Sequence, residues 1–120
     1  MPARDAYTDA PNLEKWRDII EQVLNEYAAI PYSYSNVKKE TVFDRTQDRY
    51  LILAIGWEGH RYEHGCTIHI DLVGDKIWIQ RDGTEAGIAL DLENAGIPKT
   101  HIVLGFKPPE VRPMTGYAVD

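Results

Sequence analysis

The stretch HGCTIHIDLVGDKIWIQRD, residues 64–82, decides the fold. Apolar and polar residues alternate on both sides of Gly74-Asp75, and alternation with period two marks strands that bury one face. Gly-Asp between the two runs suits a two-residue hairpin turn of the primed types. Such a turn sets a register, with Leu72 opposite Ile77, Asp71 opposite Trp78, Ile70 opposite Ile79, His69 opposite Gln80 and Ile68 opposite Arg81. Cys66, Ile68, Ile70 and Leu72 then share an apolar face with Ile77 and Ile79, while Thr67, His69, Asp71, Trp78 and Gln80 share the other. Cys66 is turned away from His69 and reads as a small buried hydrophobe, not a reactive thiol.

Outward from this hairpin, segments of about 41–45 and 49–57 complete, with 65–73 and 76–81, an antiparallel meander. Strand 49–57 is apolar on both faces, Leu51, Leu53, Ile55 and Trp57 against Tyr50, Ile52 and Ala54. That predicts a central strand in a sheet covered at least partly on both sides, with the second helix as the cover of the further side. Upstream, Leu13, Trp16, Ile20, Val23, Leu24 and Tyr27 recur at helical spacing with Glu14, Arg17, Asp18, Glu21 and Asn25 opposite. They predict an amphipathic helix capped by Asn12 or Asp9 and stopped by Pro31, its stripe packed on the sheet. Downstream, Thr84 caps a second helix whose start Glu85 favours, with Ile88, Ala89, Leu92 and Ala95 on its apolar side. Gly96 closes it, Pro98 prevents continuation, and HIVLGF reads as a fifth strand. The expected fold is α+β: an antiparallel sheet of four to five strands with an N-terminal helix and a second helix after strand 4. It forms one domain over residues 1–120, with about 1–11 as an N-terminal extension.

Composition bounds the function. The chain has 120 residues, 43% hydrophobic and 27% charged, with a net charge of −6. That charge opposes non-specific attraction to nucleic acid or anionic membrane. Between Asn36 and His64, however, Lys38, Lys39, Arg45, Arg49 and Arg61 balance Glu40, Asp44, Asp48, Glu58 and Glu63, which leaves a local anion contact open. The longest apolar run, Tyr50 to Trp57, is too short to span a bilayer, no apolar signal core precedes it, and a lone cysteine fits a reducing compartment; the expected location is cytoplasmic.

Motifs for the common chemistries are missing. There is no glycine-rich phosphate loop, no serine elbow, no paired-cysteine knuckle, and no lysine with an acid two residues before it of the kind a magnesium-dependent nuclease needs. His60 and His64 fall in what reads as a wide, solvated turn, EGHRYEH, so with Cys66 and His69 they make a weak zinc signal. No catalytic residue, metal or cofactor is expected. A metal-dependent hydrolase built on His69, Asp71 and Asp82 is the least favoured reading, because neighbours on one strand face more often make a structural hydrogen bond.

The segments FDRTQDRYLILAIGWEGHRYEHGCTIHIDL, GDKIWIQRDGTEAGIA and AGIPKTHIVLGFKPPEVRPMTGYAV together resemble the XisI family, the fdxN element excision controlling factors of cyanobacteria. The resemblance runs from about Leu13 to Val119. It implies an accessory role beside a site-specific recombinase, in programmed DNA excision during heterocyst differentiation, and an XisH-type protein as partner. It transfers no active site. Where the family pattern has FDRTHDHY, this chain has Gln47 and Arg49, which weakens a histidine-based site in the first hairpin. The expected function is thus a non-enzymatic adaptor that binds an XisH-type protein through Arg61, His69, Asp71, Trp78, Gln80 and Asp82, touches DNA only indirectly or weakly, and forms a homodimer through the same sheet face. The alternative is direct DNA binding through Lys38, Lys39, Arg45, Arg49 and Arg61.

Overall fold

The computed structural model describes the backbone of residues 2–120 and the side chains of residues 13–120. Helix α1 (Pro2–Ala28) is followed by β1 (Lys38–Asp44), β2 (Arg49–Glu58), β3 (Arg61–Val73) and β4 (Lys76–Asp82), an antiparallel meander. Helix α2 (Ile88–Asn94) and a 3-10 turn at Lys99–His101 lead to β5 (Ile102–Leu104), which pairs parallel to β4. The sheet order is β1-β2-β3-β4-β5, so the α+β meander holds, and β2 is an interior strand paired on both sides. Helix α1 runs through Pro11, which places Asn12 and Asp9 inside the helix instead of at its cap.

The core lies between one face of the sheet and both helices. Trp16, Ile19, Ile20, Val23 and Leu24 of α1 meet Tyr50, Ile52, Ile68, Ile70, Leu72, Ile77 and Ile79, joined by Ile88, Ala89 and Leu92 of α2. β-Branched isoleucine suits a pleated surface, and each fully buried one contributes on the order of 1.5–3 kcal/mol. The second helix therefore does not cover the other side of the sheet, contrary to the reading of strand 49–57. The reason is local. Asp82 Oδ2 accepts the Ile88 N–H at 2.8 Å, and Asp82 Oδ1 accepts the Thr84 N–H at 2.9 Å, which folds the short link back toward α1. Helix α2 consequently starts at Ile88 instead of Thr84, whose hydroxyl accepts the Gly87 N–H, and Glu85 stays exposed in the link. At the far end Gly96 (φ +114) closes the helix as expected, with Ile97 N–H on the Leu92 carbonyl and Gly96 N–H on that of Glu93.

Two β-bulges correct the hairpin register. Leu72–Ile77, Asp71–Trp78 and Ile70–Ile79 pair as the turn dictates, with Gly74 at φ +62. Beyond them an extra residue in β4 gives His69–Arg81 and Ile68–Asp82, not His69–Gln80 and Ile68–Arg81. A second irregularity follows Ile52–Ile68, so that Leu53 meets Cys66 and Thr67 has no partner of its own. A bulge adds a residue to one strand only, and alternation past it is inverted relative to the neighbour. Cys66 accordingly comes opposite Leu53 and is half-buried, not enclosed beside Ile68. The wide turn is also tighter than expected: Glu58 pairs with Arg61 around Gly59 and His60, and His64 is a strand residue opposite Ile55.

Candidate functional site

The face of the sheet turned away from the helices is built by four strands. Leu51, Leu53, Ile55 and Trp57 project from β2 between Lys38, Glu40, Val42 and Asp44 of β1 and the β3 residues that pair with them. Val42–Leu51 is an in-register apolar pair, and at the hairpin end the Trp57 and Tyr62 rings lie 5.0 Å apart. Val42 is 44% exposed, Trp57 55% and Tyr62 50%, so this apolar strip meets solvent.

Next to the strip lies a polar cluster. His69 Nε2 is 2.8 Å from Asp71 Oδ1, and Gln80 Nε2 donates to Asp71 Oδ2 at 3.4 Å. The Arg49 guanidinium stands 4.0 Å from the same carboxylate. Trp78, opposite Asp71, is half-covered by the chain after β5: the Arg112 guanidinium sits 5.2 Å from its ring centroid, and a Cβ on Gly105 would lie 3.1 Å from Trp78 Cε3 and 2.9 Å from Gln80 Oε1. Arg112 holds that segment through the carbonyls of Lys107, Gly105 and Val119.

Of the six residues expected at a partner surface, His69, Asp71, Trp78 and Gln80 come together. Asp82 does not. The β4 bulge turns it to the helix side, where its carboxylate is occupied by Thr84 and Ile88. Arg61 sits at the opposite end of β3, ten positions and about 33 Å from Asp71 at the strand rise, and pairs with Glu63. Hence His69, Asp71 and Asp82 do not converge as a hydrolase would need, and among the described residues no three His, Cys, Asp or Glu side chains gather to hold a metal ion.

The five cations of the alternative reading are spread over both faces and mostly engaged. Arg45 is spanned by Glu14, Asp18 and Glu21 of α1 at 2.5–3.0 Å. Lys39 donates to the Tyr27 and Ile30 carbonyls and lies 3.9 Å from the Tyr27 ring centroid. Burial there lowers its pKa. Arg49 faces Asp71 and Arg61 faces Glu63. A further ion pair fixes the β1–β2 turn to α1: Arg17 Nε and Nη2 donate to the two Asp48 oxygens at 2.8 and 3.1 Å, and Tyr50 Oη donates to Asp48 Oδ1 at 2.9 Å. The guanidinium holds the Asp48 carboxyl below its usual range, and burial raises the Tyr50 hydroxyl.

The sequence matches the family described as XisI protein over residues 11–119. The chain belongs to the XisI family. Two solved structures from Anabaena variabilis show the same fold. An XisI-like protein is 31% identical, with a TM-score of 0.82 over 90% of this chain and 99% of its own. The fdxN element excision controlling factor XisI is also 31% identical, with a TM-score of 0.77 over 91% of this chain and 99% of its own. No curated protein matches. Within this XisI-family fold, Cys66 is unsuited to nucleophilic work, since burial pushes its thiol up and its Sγ lies 3.2 Å from the Ile68 carbonyl. Among the described residues no helix is long and apolar enough to cross a membrane.

Sequence reasoning missed the openness of Leu51, Leu53 and Ile55. The signal was present, since a strand apolar on both faces must be covered by something; it was assigned to α2, which the Asp82 link sends the other way. Gly105 and Arg112 as covers of Trp78 left no local signal.

Proposed function

We propose that this chain is a non-enzymatic, cytoplasmic accessory of DNA-element excision, acting as an adaptor that binds an XisH-type protein. The excision role is supported by family membership and by the relative named as an fdxN element excision controlling factor. One observation carries the adaptor reading: an uncovered sheet face whose polar cluster is already ordered. His69, Gln80 and Arg49 all converge on Asp71 beside the half-exposed Trp78. Prearranged hydrogen-bonding groups next to an aromatic side chain favour a specific protein contact, because little side-chain entropy is lost on docking.

DNA binding in its own right is the weaker reading. Phosphate neutralisation needs several free cations on one face, whereas Arg45, Lys39, Arg49 and Arg61 are engaged by protein groups. The experiment is co-expression with an XisH-type neighbour, purification on one tag, and a test of His69→Ala. Retention of the partner by the wild type and its loss from the variant support the reading. Retention by both removes this surface from the account, and retention by neither removes the adaptor role.

A further inference from the structure

We propose that the apolar strip of the outer face docks a second copy of this chain, the two sheets meeting face to face about a two-fold axis. This rests on the adaptor reading only in sharing a sheet face with it. The residues differ: Val42, Leu51, Leu53, Ile55, Trp57 and Tyr62 form a strip that borders the polar cluster where Leu51 pairs with His69 and runs from there toward the β2–β3 hairpin.

Three observations point to this occupant. The strip is continuous. Single exposed apolar side chains are ordinary on a soluble protein, but a contiguous row with polar groups at its rim marks an interface.

The charge at the rim is self-complementary. With a net charge of −6, two copies repel over most of their surface. Around the strip, however, Lys38 and Arg49 stand against Glu40 and Asp44. An axis crossing the strands reverses them, so Lys38 at one end of β1 approaches Asp44 at the other end of the mate's β1. A two-fold contact requires a patch that complements itself, and an apolar centre with a balanced rim does so. A nucleic acid would need a positive face, and a strongly charged protein partner a face of one sign.

The area also fits. β2 has ten residues, about 33 Å at the strand rise, and three strands span about 14 Å, so close to 500 Å² of each copy can be covered. The pair together then reaches the roughly 1,000 Å² at which specific association begins. That size suits a dimer of moderate affinity.

The test is light scattering on the purified chain alone across a concentration series. The expected mass rises to twice 13.7 kDa. Leu53→Glu places an unpaired charge in each half of the contact and is expected to raise the dimer Kd about a hundredfold or more. Val42→Lys, at a position 44% exposed where folding has little at stake, is expected to act in the same direction with an unchanged circular dichroism spectrum. A monomer mass at every concentration overturns the proposal, as does a dimer whose Kd neither variant changes. A one-to-one complex with an XisH-type protein that Val42→Lys abolishes also overturns it, and gives the strip to that partner. Because the chain is measured alone, loss of partner binding in His69→Ala with the dimer intact bears on the adaptor reading only.

Discussion

Asp82 separates a binding role from a structural one, and its replacement by alanine has a calculable effect. Its Oδ2 accepts the Ile88 N–H at 2.8 Å, and its Oδ1 accepts the Thr84 N–H and hydroxyl at 2.9 and 2.5 Å. Alanine leaves the donor at the start of α2 and both Thr84 donors in the link without their acceptor. Hydrogen bonds to a charged acceptor are worth about 1.5–3 kcal/mol, and loss of a helix-capping aspartate costs about 0.5–2 kcal/mol, so about 2–3 kcal/mol is expected for the non-additive set. A chain of 120 residues has an unfolding entropy of about 0.25 kcal/mol/K at its midpoint, so Tm falls by about 8–12 °C. Total stability of about 6–18 kcal/mol for a chain of this size keeps the variant folded at 25 °C. Asp82→Asn retains one acceptor and is expected to recover about half the loss. The assay is thermal and urea unfolding of both variants, with retention of an XisH-type partner measured at 25 °C. An unchanged Tm accompanied by loss of the partner would refute the reasoning, since it would put Asp82 at the interface instead of at the head of α2.

Asp48→Asn tests the ion pair between α1 and the β1–β2 turn. Asparagine tolerates the positive φ of +54 at this position, so the substitution removes charge without adding strain. The native pKa of Asp48 is depressed chiefly by the Arg17 hydrogen bonds, so its stabilisation is present above the unfolded value near 3.9 and is lost as pH falls through the lower folded value. Urea titrations are expected to show the wild type ahead by about 1–2 kcal/mol at pH 7 and by less at pH 3; an equal gap at both would mean charge is not the cause. Gly56→Ala is expected to cost about 2 kcal/mol or more, because a Cβ would lie 2.7 Å from the Asn36 carbonyl oxygen at a φ of +146; an unchanged Tm would contradict that geometry. Burial first, and the Glu93 carboxylate second, push the Tyr117 hydroxyl up to about 12. Ultraviolet titration is therefore expected to show Tyr117 ionising late together with Tyr50 and Tyr27, and Glu93→Gln to bring one of these late tyrosines earlier.

Most of the fold was legible because the sheet buries one face and the alternation of Ile68, Ile70 and Leu72 with His69 and Asp71 records it. The Gly74-Asp75 turn fixed the first three pairs of its hairpin for the same reason. What failed did so at bulges. The extra residues in β3 and β4 leave composition and turn residues untouched yet reverse the faces of Cys66 and Asp82 relative to their neighbours. Of the residues expected to share a face, Asp71 and Trp78 pair as the turn dictates, while His69 and Gln80 reach Asp71 from either side of the β4 bulge. Asp82 beyond the bulge and Arg61 at the far hairpin were grouped with them by charge and nearness in sequence, neither of which measures distance along a strand. Helix α2 illustrates the same limit: Thr84 is a good capping residue, but the stronger acceptor two residues earlier takes the Ile88 N–H and moves the helix start.

The proposed role of the outer sheet face as a protein interface is tested most directly by the mass of what co-purifies with this chain when an XisH-type protein is expressed beside it, read by size exclusion with light scattering. A complex of defined stoichiometry, lost on His69→Ala while the circular dichroism and Tm stay within a few degrees of wild type, is the expected result. Recovery of the chain with no partner, or of a complex indifferent to His69→Ala, would contradict it.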